Sequence, residues 1–153
     1  GIVLGPLYGA GIGAVFGLTS VLNATFRPGL TSFCFSPFIS VGNVHGNFAS
    51  LLIAFLPRIF LGWFSGVLYS LLRNKVQKPW LCAMISGGVN TLIHTLLVMG
   101  MIVIFFGQAY SEAVNIPVGS IIAIVIGSNG IWEIMLAVVV CGALAKALKT
   151  YIN

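Results

Sequence analysis

Four long apolar stretches, separated by short polar segments, account for most of the chain. They cover residues 1–26, 48–72, 80–107 and 117–148, with the ends placed to within a few positions. Each stretch is long enough to cross a bilayer as a helix, which takes about 20 apolar residues. A membrane β-barrel would instead show segments of about ten residues that alternate in polarity. Because lipid admits only these two backbone arrangements, the pattern predicts an all-α, polytopic membrane helical bundle, formed as a single domain over residues 1–153.

Composition supports the membrane interpretation, and the placement of the charges argues against a nucleic-acid-binding protein. Of the 153 residues, 59% are hydrophobic and only 6% are charged, with a mean hydropathy of +1.11, whereas roughly a quarter of a soluble domain is charged. The net charge is +5, but the basic residues form short clusters outside the apolar stretches, at Arg73-Lys75-Lys78 and at Lys146-Lys149. Such clusters are typical of topology signals, so we expect no nucleic-acid partner.

The basic clusters also predict an orientation. If each stretch crosses once, residues 73–79 and the C-terminus lie on one side, which collects five of the seven Lys and Arg residues. That side is predicted to be the cytoplasm of a prokaryotic cell. The loop of residues 27–47, "RPGLTSFCFSPFISVGNVHGN", and the loop around Ser111-Glu112 then face outward. We call residues 27–47 the outer loop and expect it to cap a site.

The fourth stretch is too long for one straight span. About 31 residues at 1.5 Å each would extend about 46 Å, against a hydrocarbon core of about 30 Å. The segment "GSNG" is where a break is predicted, because Gly127 and Gly130 supply flexible dihedrals and Ser128 or Asn129 can cap the following helix. Glu133 would then lie in the first turn of the last helix, where the helix dipole favours a carboxylate.

Arg58, in "AFLPRIFLGW", is the other charge inside a span. An ionisable residue at membrane depth is costly unless it is paired or faces a polar cavity, and Arg58 and Glu133 are predicted to share the outer half of the membrane. Pro57 lacks an amide hydrogen and is expected to leave one backbone carbonyl free. Two alternatives stay open: Arg58 extends outward to the headgroups, or it only locks two helices by an ion pair with Glu133.

A polar face in the third stretch completes a candidate site. In "GGVNTLIHTLLVMG", Asn90 and His94 are four residues apart and share one helical face. Together with Arg58, Asn129 and Glu133 they form a set of polar groups on three helices, suited to a small polar ligand that enters from outside. For either residue alone, an interhelical hydrogen bond is an equally good interpretation.

The first stretch carries a different pattern, "GPLYGAGIGAVFG", in which Gly5, Gly9, Gly13 and Gly17 recur every four residues. A smooth glycine ridge lets another helix approach closely. The partner is either a helix of the same chain or another subunit, and we take these four glycines as the candidate subunit contact.

The sequence offers no catalytic chemistry. The glycines lack the Gly-Lys-Ser/Thr ending of a phosphate-binding loop, neither histidine has a second metal ligand at suitable spacing, and no serine lies in a nucleophile elbow. We therefore expect no catalytic residue, no bound metal and no cofactor. A small intramembrane enzyme is the weakest of the functions considered.

Several segments resemble the S component, the substrate-binding membrane subunit, of energy-coupling factor (ECF) vitamin transporters. They are "GPLYGAGIGAVFGLTS", "FSPFIS", "LPRIFLGWFSGVLYSLL", "GGVNTLIHTLLVMG" and "NGIWEIMLAVVVCGALAKALK", in the family's order. The pieces "PRIFLG" and "NT" are most similar to the pantothenate type. The resemblance implies a six-helix bundle that captures a vitamin near the outer face. It also implies reorientation in the membrane on docking with a T subunit, driven by two cytoplasmic ATPases.

The resemblance has one gap and leaves several vitamins open. The family's first helix, with its alanine-xxx-alanine contact to the T subunit, has no counterpart in this sequence, so the glycine ridge is a substitute candidate for that contact. We predict a vitamin-binding S subunit, with pantothenate as the leading ligand and riboflavin, pyridoxine or hydroxymethylpyrimidine as alternatives. A purely structural membrane subunit without a ligand site is the alternative of another class. For pantothenate, Arg58 is the candidate for the carboxylate.

The predicted orientation can be tested by labelling. A cysteine placed at Asn43 should react with a membrane-impermeant maleimide added outside intact cells, whereas one placed at Lys75 should react only after the membrane is opened. The reverse pattern would invert the topology and would move the candidate site to the inner half.

Overall fold

The computed structural model describes residues 1–41 and 43–148, and most of that range is helical. The helices are α1 (Pro6–Phe26), α2 (Phe48–Arg73), α3 (Pro79–Val114), α4 (Ile121–Val125) and α5 (Ile131–Ala147). A π-helical turn, Ile126–Gly130, joins α4 to α5, and a short 3-10 turn, Val118–Ser120, precedes α4. Four of the resulting helical segments are long and apolar enough to cross a membrane. The all-α membrane bundle is confirmed, with four of the six helices that the family resemblance implies among the described residues.

The predicted break at "GSNG" is wrong. Residues 126–130 keep right-handed helical dihedrals, and the chain passes through a π turn instead of ending one helix and capping the next. Ser128 caps nothing, because its hydroxyl donates to the carbonyl oxygen of Val125 one turn earlier. Glu133 does occupy the first turn of α5. However, the helix continues on the N-terminal side of Glu133, so the expected stabilisation of its carboxylate by the free N–H groups of a helix N-terminus is not available.

α3 is longer than predicted and bends near its outer end. Phe106 has dihedrals of −135° and 18°, which interrupt the helix without ending it. The residues expected to form a loop, Ser111 and Glu112, are therefore helical and belong to the segment beyond this bend. α3 ends at Asn115, whose left-handed conformation (φ 57°) lets its amide donate to the carbonyl of Ser111.

The helices pack in sequence, α1 against α2, α2 against α3, and α3 against α5. A close approach of α1 to α2 explains the glycine ridge. A side-chain carbon at Gly9 would collide with the carbonyl oxygen of Gly62 on α2, one at Gly62 with that of Gly9, and one at Gly13 with that of Arg58. Gly17 meets α2 in the same way, at Ala54 and Phe55.

The prediction that Gly5, Gly9, Gly13 and Gly17 form a subunit contact is therefore wrong for the last three. Gly9, Gly13 and Gly17 are buried against α2 of the same chain. Gly5 precedes α1 with a positive φ of 88° and has no neighbour within contact distance, so its place reflects a backbone requirement.

The outer loop is folded down onto the helices. A 3-10 turn, Ser32–Cys34, inserts Phe33 and Cys34 into an apolar cluster with Ile53 on α2 and Ile102 and Phe106 on α3. A short antiparallel pair follows, β1 (Ser40–Val41) and β2 (Val44–His45).

Serine and threonine hydroxyls attach the middle of the loop to the helices that flank it. Ser36 hydrogen-bonds Thr25 at the end of α1 (2.7 Å), and the Ser50 hydroxyl of α2 donates to the carbonyl oxygen of Phe33 (2.6 Å). Asn47 and Ser50 form a capping box that starts α2. The loop is thus attached to α1, α2 and α3 together.

A second apolar cluster closes the opposite, predicted cytoplasmic end. It joins Tyr69 of α2, Cys82 and Ala83 of α3, and Ala145 of α5. Lys146 lies over the ring of Trp80 at 5.1 Å. The other lysine of this predicted C-terminal cluster, Lys149, lies outside the described residues.

Alanine substitutions on α1 should separate its packed face from its free face. Gly9→Ala and Gly13→Ala force a methyl group against backbone carbonyls of α2, and we expect each to lower the free energy of unfolding by about 1–3 kcal/mol. Gly11→Ala is the control, because Gly11 has no neighbour within contact distance and alanine favours the helix. Thermal unfolding in one detergent measures all three. Equal effects at Gly9 and Gly11 would contradict the close helix approach.

The thiol of Cys34 reports on the packing of the outer loop. Cys34 is fully buried, and burial raises the pKa of its thiol to about 12. About one thiol in 10,000 is then ionised at pH 8, and only the thiolate reacts. We expect Cys34 to resist maleimide in the native protein and to react after denaturation. A cysteine placed at the exposed Phe38 is the control. Rapid native labelling of Cys34 would mean that the loop is not seated.

Candidate functional site

Arg58 lies in the middle of α2 and is 8% exposed. Its Nη1 donates to the carbonyl oxygens of Ile53 (3.1 Å) and Ala54 (3.0 Å), both one turn earlier on its own helix. The Ile53 carbonyl would normally accept from the amide of residue 57, which is a proline and has no N–H. The expected free carbonyl is therefore present, and the neighbouring arginine uses it.

A cavity of about 270 Å³ opens beside this guanidinium. It lies between α2, α3 and the π turn with the start of α5. Four of the five residues predicted to bind substrate line it: Arg58, His94, Asn129 and Glu133. We refer to this space as the outer cavity.

Two polar atoms at the outer cavity are buried and have no hydrogen-bond partner in the described part of the chain. They are Nε of Arg58 and Nε2 of His94. An unpaired buried polar atom costs free energy that a suitable partner recovers. The cavity is therefore prepared to accept a ligand that brings hydrogen-bonding groups to both atoms.

Glu133 and Asn129 form the more open wall, and both side chains are exposed. The hydroxyl of Thr95 donates to the Glu133 carboxylate across the α3–α5 contact at 3.3 Å. Asn129 lies in the π turn, in which 126–130 hold one more residue per turn than an α-helix. These two residues keep free acceptors and donors toward the cavity.

The ion pair between Arg58 and Glu133, one of the alternatives left open by the sequence, is not formed in the part of the chain that the structure describes. Within the described residues, no carboxylate oxygen lies within 4 Å of the Arg58 guanidinium. Nη1 of Arg58 donates to backbone carbonyls of α2, and the Glu133 carboxylate accepts from Thr95 of α3, so the two charges have different partners although both line the cavity. The interpretation of this pair as a lock between helices is therefore wrong.

Asn90, the fifth predicted residue, lies elsewhere. It is 3% exposed, and its Nδ2 donates to the carbonyl oxygen of Leu61 on α2 at 2.7 Å. One turn of α3 separates it from His94, and it is not among the residues that line the outer cavity. Asn90 thus takes the alternative role left open for it, an interhelical hydrogen bond.

Sequence reasoning missed the remaining wall of the cavity. Val98 and Met99 supply an apolar surface, and Tyr110 adds an aromatic ring with a hydroxyl. Val98 follows His94 by four residues and could have been found from that spacing. Tyr110 could not, because the bend at Phe106 changes the direction of its side chain relative to the earlier turns.

The arrangement of groups in the outer cavity suits the binding of a ligand better than the making or breaking of covalent bonds. One cation, one carboxylate and several neutral donors and acceptors surround a space bounded by apolar side chains. In the part of the chain that the structure describes, no three His, Cys, Asp or Glu side chains gather as metal ligands.

The sequence was compared with known proteins. Residues 1–145 match the family described as ECF transporter, substrate-specific component. The pantothenic acid transporter PanT of Lactococcus lactis subsp. cremoris is 36% identical over 148 residues, which is 96% of this chain and 71% of that protein. The pantothenate transporter PanT of Leuconostoc mesenteroides subsp. mesenteroides is 30% identical over 152 residues, 96% of this chain and 69% of that protein. No solved structure matches the chain significantly.

The family match covers nearly the whole chain and agrees with the four helices that are long and apolar enough to cross a membrane. It therefore identifies a transport protein that crosses the cell membrane several times and is not an enzyme. The chain belongs to the substrate-specific components of ECF transporters.

Proposed function

We propose that this chain binds pantothenate in the outer cavity and delivers it as the S subunit of an ECF importer. The observation that carries the proposal is the pairing, in one cavity, of a buried arginine with a free Nε and neutral hydrogen-bonding groups. The names of both curated relatives specify pantothenate.

Pantothenate carries a carboxylate at one end, two hydroxyls at the other, an amide between them, and a pair of methyl groups. Arg58 is the partner for the carboxylate, since a guanidinium binds carboxylates by charge-assisted hydrogen bonds. His94 and Asn129 bind the amide and one hydroxyl, and Glu133 accepts from the other hydroxyl. The methyl groups pack against Val98 and Met99. Asn90 is left out of this proposal because it bonds to Leu61.

The size of the cavity agrees with a ligand of this kind. Drug-sized ligands occupy pockets of about 300–1,000 Å³, and the outer cavity holds about 270 Å³. Pantothenate, with about 15 non-hydrogen atoms, belongs at the small end of that range.

In this proposal, other subunits supply the energy for transport. The S subunit captures the vitamin at the outer face and reorients in the membrane. A transmembrane T subunit and two cytoplasmic ATPases supply the energy, as the family resemblance implies. The motif for phosphate binding is absent from the 153 residues.

The role of Arg58 can be tested with two ligands that differ only in one terminal group, which is charged in the first and neutral in the second. Pantothenol has a CH2OH group where pantothenate has its carboxylate. We expect the purified protein in nanodiscs to bind pantothenate much more tightly than pantothenol. Arg58→Gln should weaken pantothenate binding by about 2–4 kcal/mol, roughly 30-fold to 1,000-fold, and should change pantothenol binding little. Isothermal titration calorimetry measures both.

Arg27→Gln is the matched control, because Arg27 is exposed and does not line the cavity. It should leave both affinities unchanged. Thermal stabilisation by riboflavin, pyridoxine or hydroxymethylpyrimidine, without stabilisation by pantothenate, would assign a different vitamin. Pantothenate binding that survives Arg58→Gln would place the ligand elsewhere in the protein.

A further inference from the structure

Two aromatic rings from different parts of the chain lie against the Arg58 guanidinium. Its central carbon is 5.1 Å from the centroid of Phe16 and 5.5 Å from the centroid of Phe35. Phe16 belongs to α1 and Phe35 to the outer loop, whereas Arg58 belongs to α2. Both distances are within the range in which a cation is attracted to the face of a ring.

The rings supplement hydrogen bonds that hold only one end of the side chain. Nη1 donates to the carbonyl oxygens of Ile53 and Ala54, while Nε has no hydrogen-bond partner among the described residues. An arginine side chain has several rotatable bonds, and ordering it on ligand binding reduces affinity. Contacts that already order the guanidinium in the unliganded protein remove part of that loss. A planar guanidinium is well suited to this, since it stacks on aromatic faces and keeps its edge for hydrogen bonds.

We propose that Phe16 and Phe35 are positioning residues that hold the Arg58 guanidinium at the outer cavity and so set the preference for a carboxylate ligand. The proposal rests on the proposed function, because it assigns Arg58 to the carboxylate of pantothenate. Neither phenylalanine lines the outer cavity. They act through Arg58, and they make its position depend on α1 and on the outer loop.

The neighbouring Phe33 provides a matched control. It comes from the same loop, but its ring packs edge-on against Phe106 at 5.5 Å and makes no cation contact. Phe33→Leu keeps an apolar side chain in the core and leaves the hydroxyl bonds that hold the loop in place, so it changes the packing at Phe33 without removing a ring from Arg58. Phe16 is the less disruptive of the two test positions, since it is 47% exposed and its replacement leaves no large cavity.

The first test needs no ligand. Phe16→Leu and Phe35→Leu are each combined with Arg58→Gln, and the Tm of the single and double variants is compared in a double-mutant cycle. We expect each leucine substitution to lower Tm clearly in the parent and much less in the Arg58→Gln background. Phe33→Leu should lower Tm equally in both. Additive effects at both Phe16 and Phe35 would overturn the proposal, whatever the protein binds.

The second test measures selectivity as the ratio of pantothenate to pantothenol affinity. Phe16→Leu and Phe35→Leu should each reduce that ratio by about 5-fold to 30-fold, as expected when a partly desolvated cation–π contact is lost. Phe16→Tyr and Phe35→Tyr keep a ring and should restore it, while Phe33→Leu should leave it unchanged. An unchanged ratio in folded Phe16→Leu protein would overturn the proposal while leaving the proposed function intact. If the parent protein does not bind pantothenate, the proposed function fails and the double-mutant cycle alone decides the ring contacts.

Discussion

Arg58 places a positive charge at membrane depth with no carboxylate of the described residues within 4 Å, and much of the structure follows from the need to stabilise that charge. A charge taken out of water is stable only if other groups replace its hydration. Here the replacement consists of two backbone carbonyls and two aromatic rings. The proline before it is part of the same solution, because Pro57 releases one of those carbonyls from the helix. The Nε of Arg58, which has no hydrogen-bond partner among the described residues, lies at the outer cavity.

This arrangement makes the site depend on three elements at once. α2 carries the charge, α1 approaches closely enough for Phe16 to reach it, and the outer loop brings Phe35 from above. The close approach of α1 requires glycine at the crossing with α2, where Gly9 meets Gly62. Hydroxyl bonds to α1 and α2 hold the middle of the loop, and Phe33 and Cys34 pack into the core. Packing far from the outer cavity thus determines where the Arg58 guanidinium lies.

The helices and much of the site follow from sequence because hydropathy and helical spacing act locally. Apolar length located the spans, the four-residue spacing of the glycines identified a packed face, and rare polar residues identified the cavity. The depth of each polar residue in the membrane could also be inferred from its position along its stretch. Arg58, His94 and Glu133 were placed at a similar depth, and they line one cavity. The hydrogen-bonding partner of each polar side chain could not be inferred, because it depends on how the helices are rotated about their axes. Arg58 and Glu133 therefore share a level without an ion pair, and Asn90 faces Leu61. The bend at Phe106 has no sequence signal of the proline kind, so Tyr110 was missed.

The π turn at Ile126–Gly130 has a genetic consequence. A π turn holds one residue more than the same length of regular helix, and the helix on either side can continue undisturbed. A deletion of one codon within this turn leaves a regular helix, whereas the same deletion within α2 rotates one end by about 100° relative to the other. This span is therefore the one in which homologous genes can differ in length by a single codon and still encode a continuous membrane helix. The residue gained or lost there is at the wall of the cavity, so such length variation changes the cavity before it changes the fold.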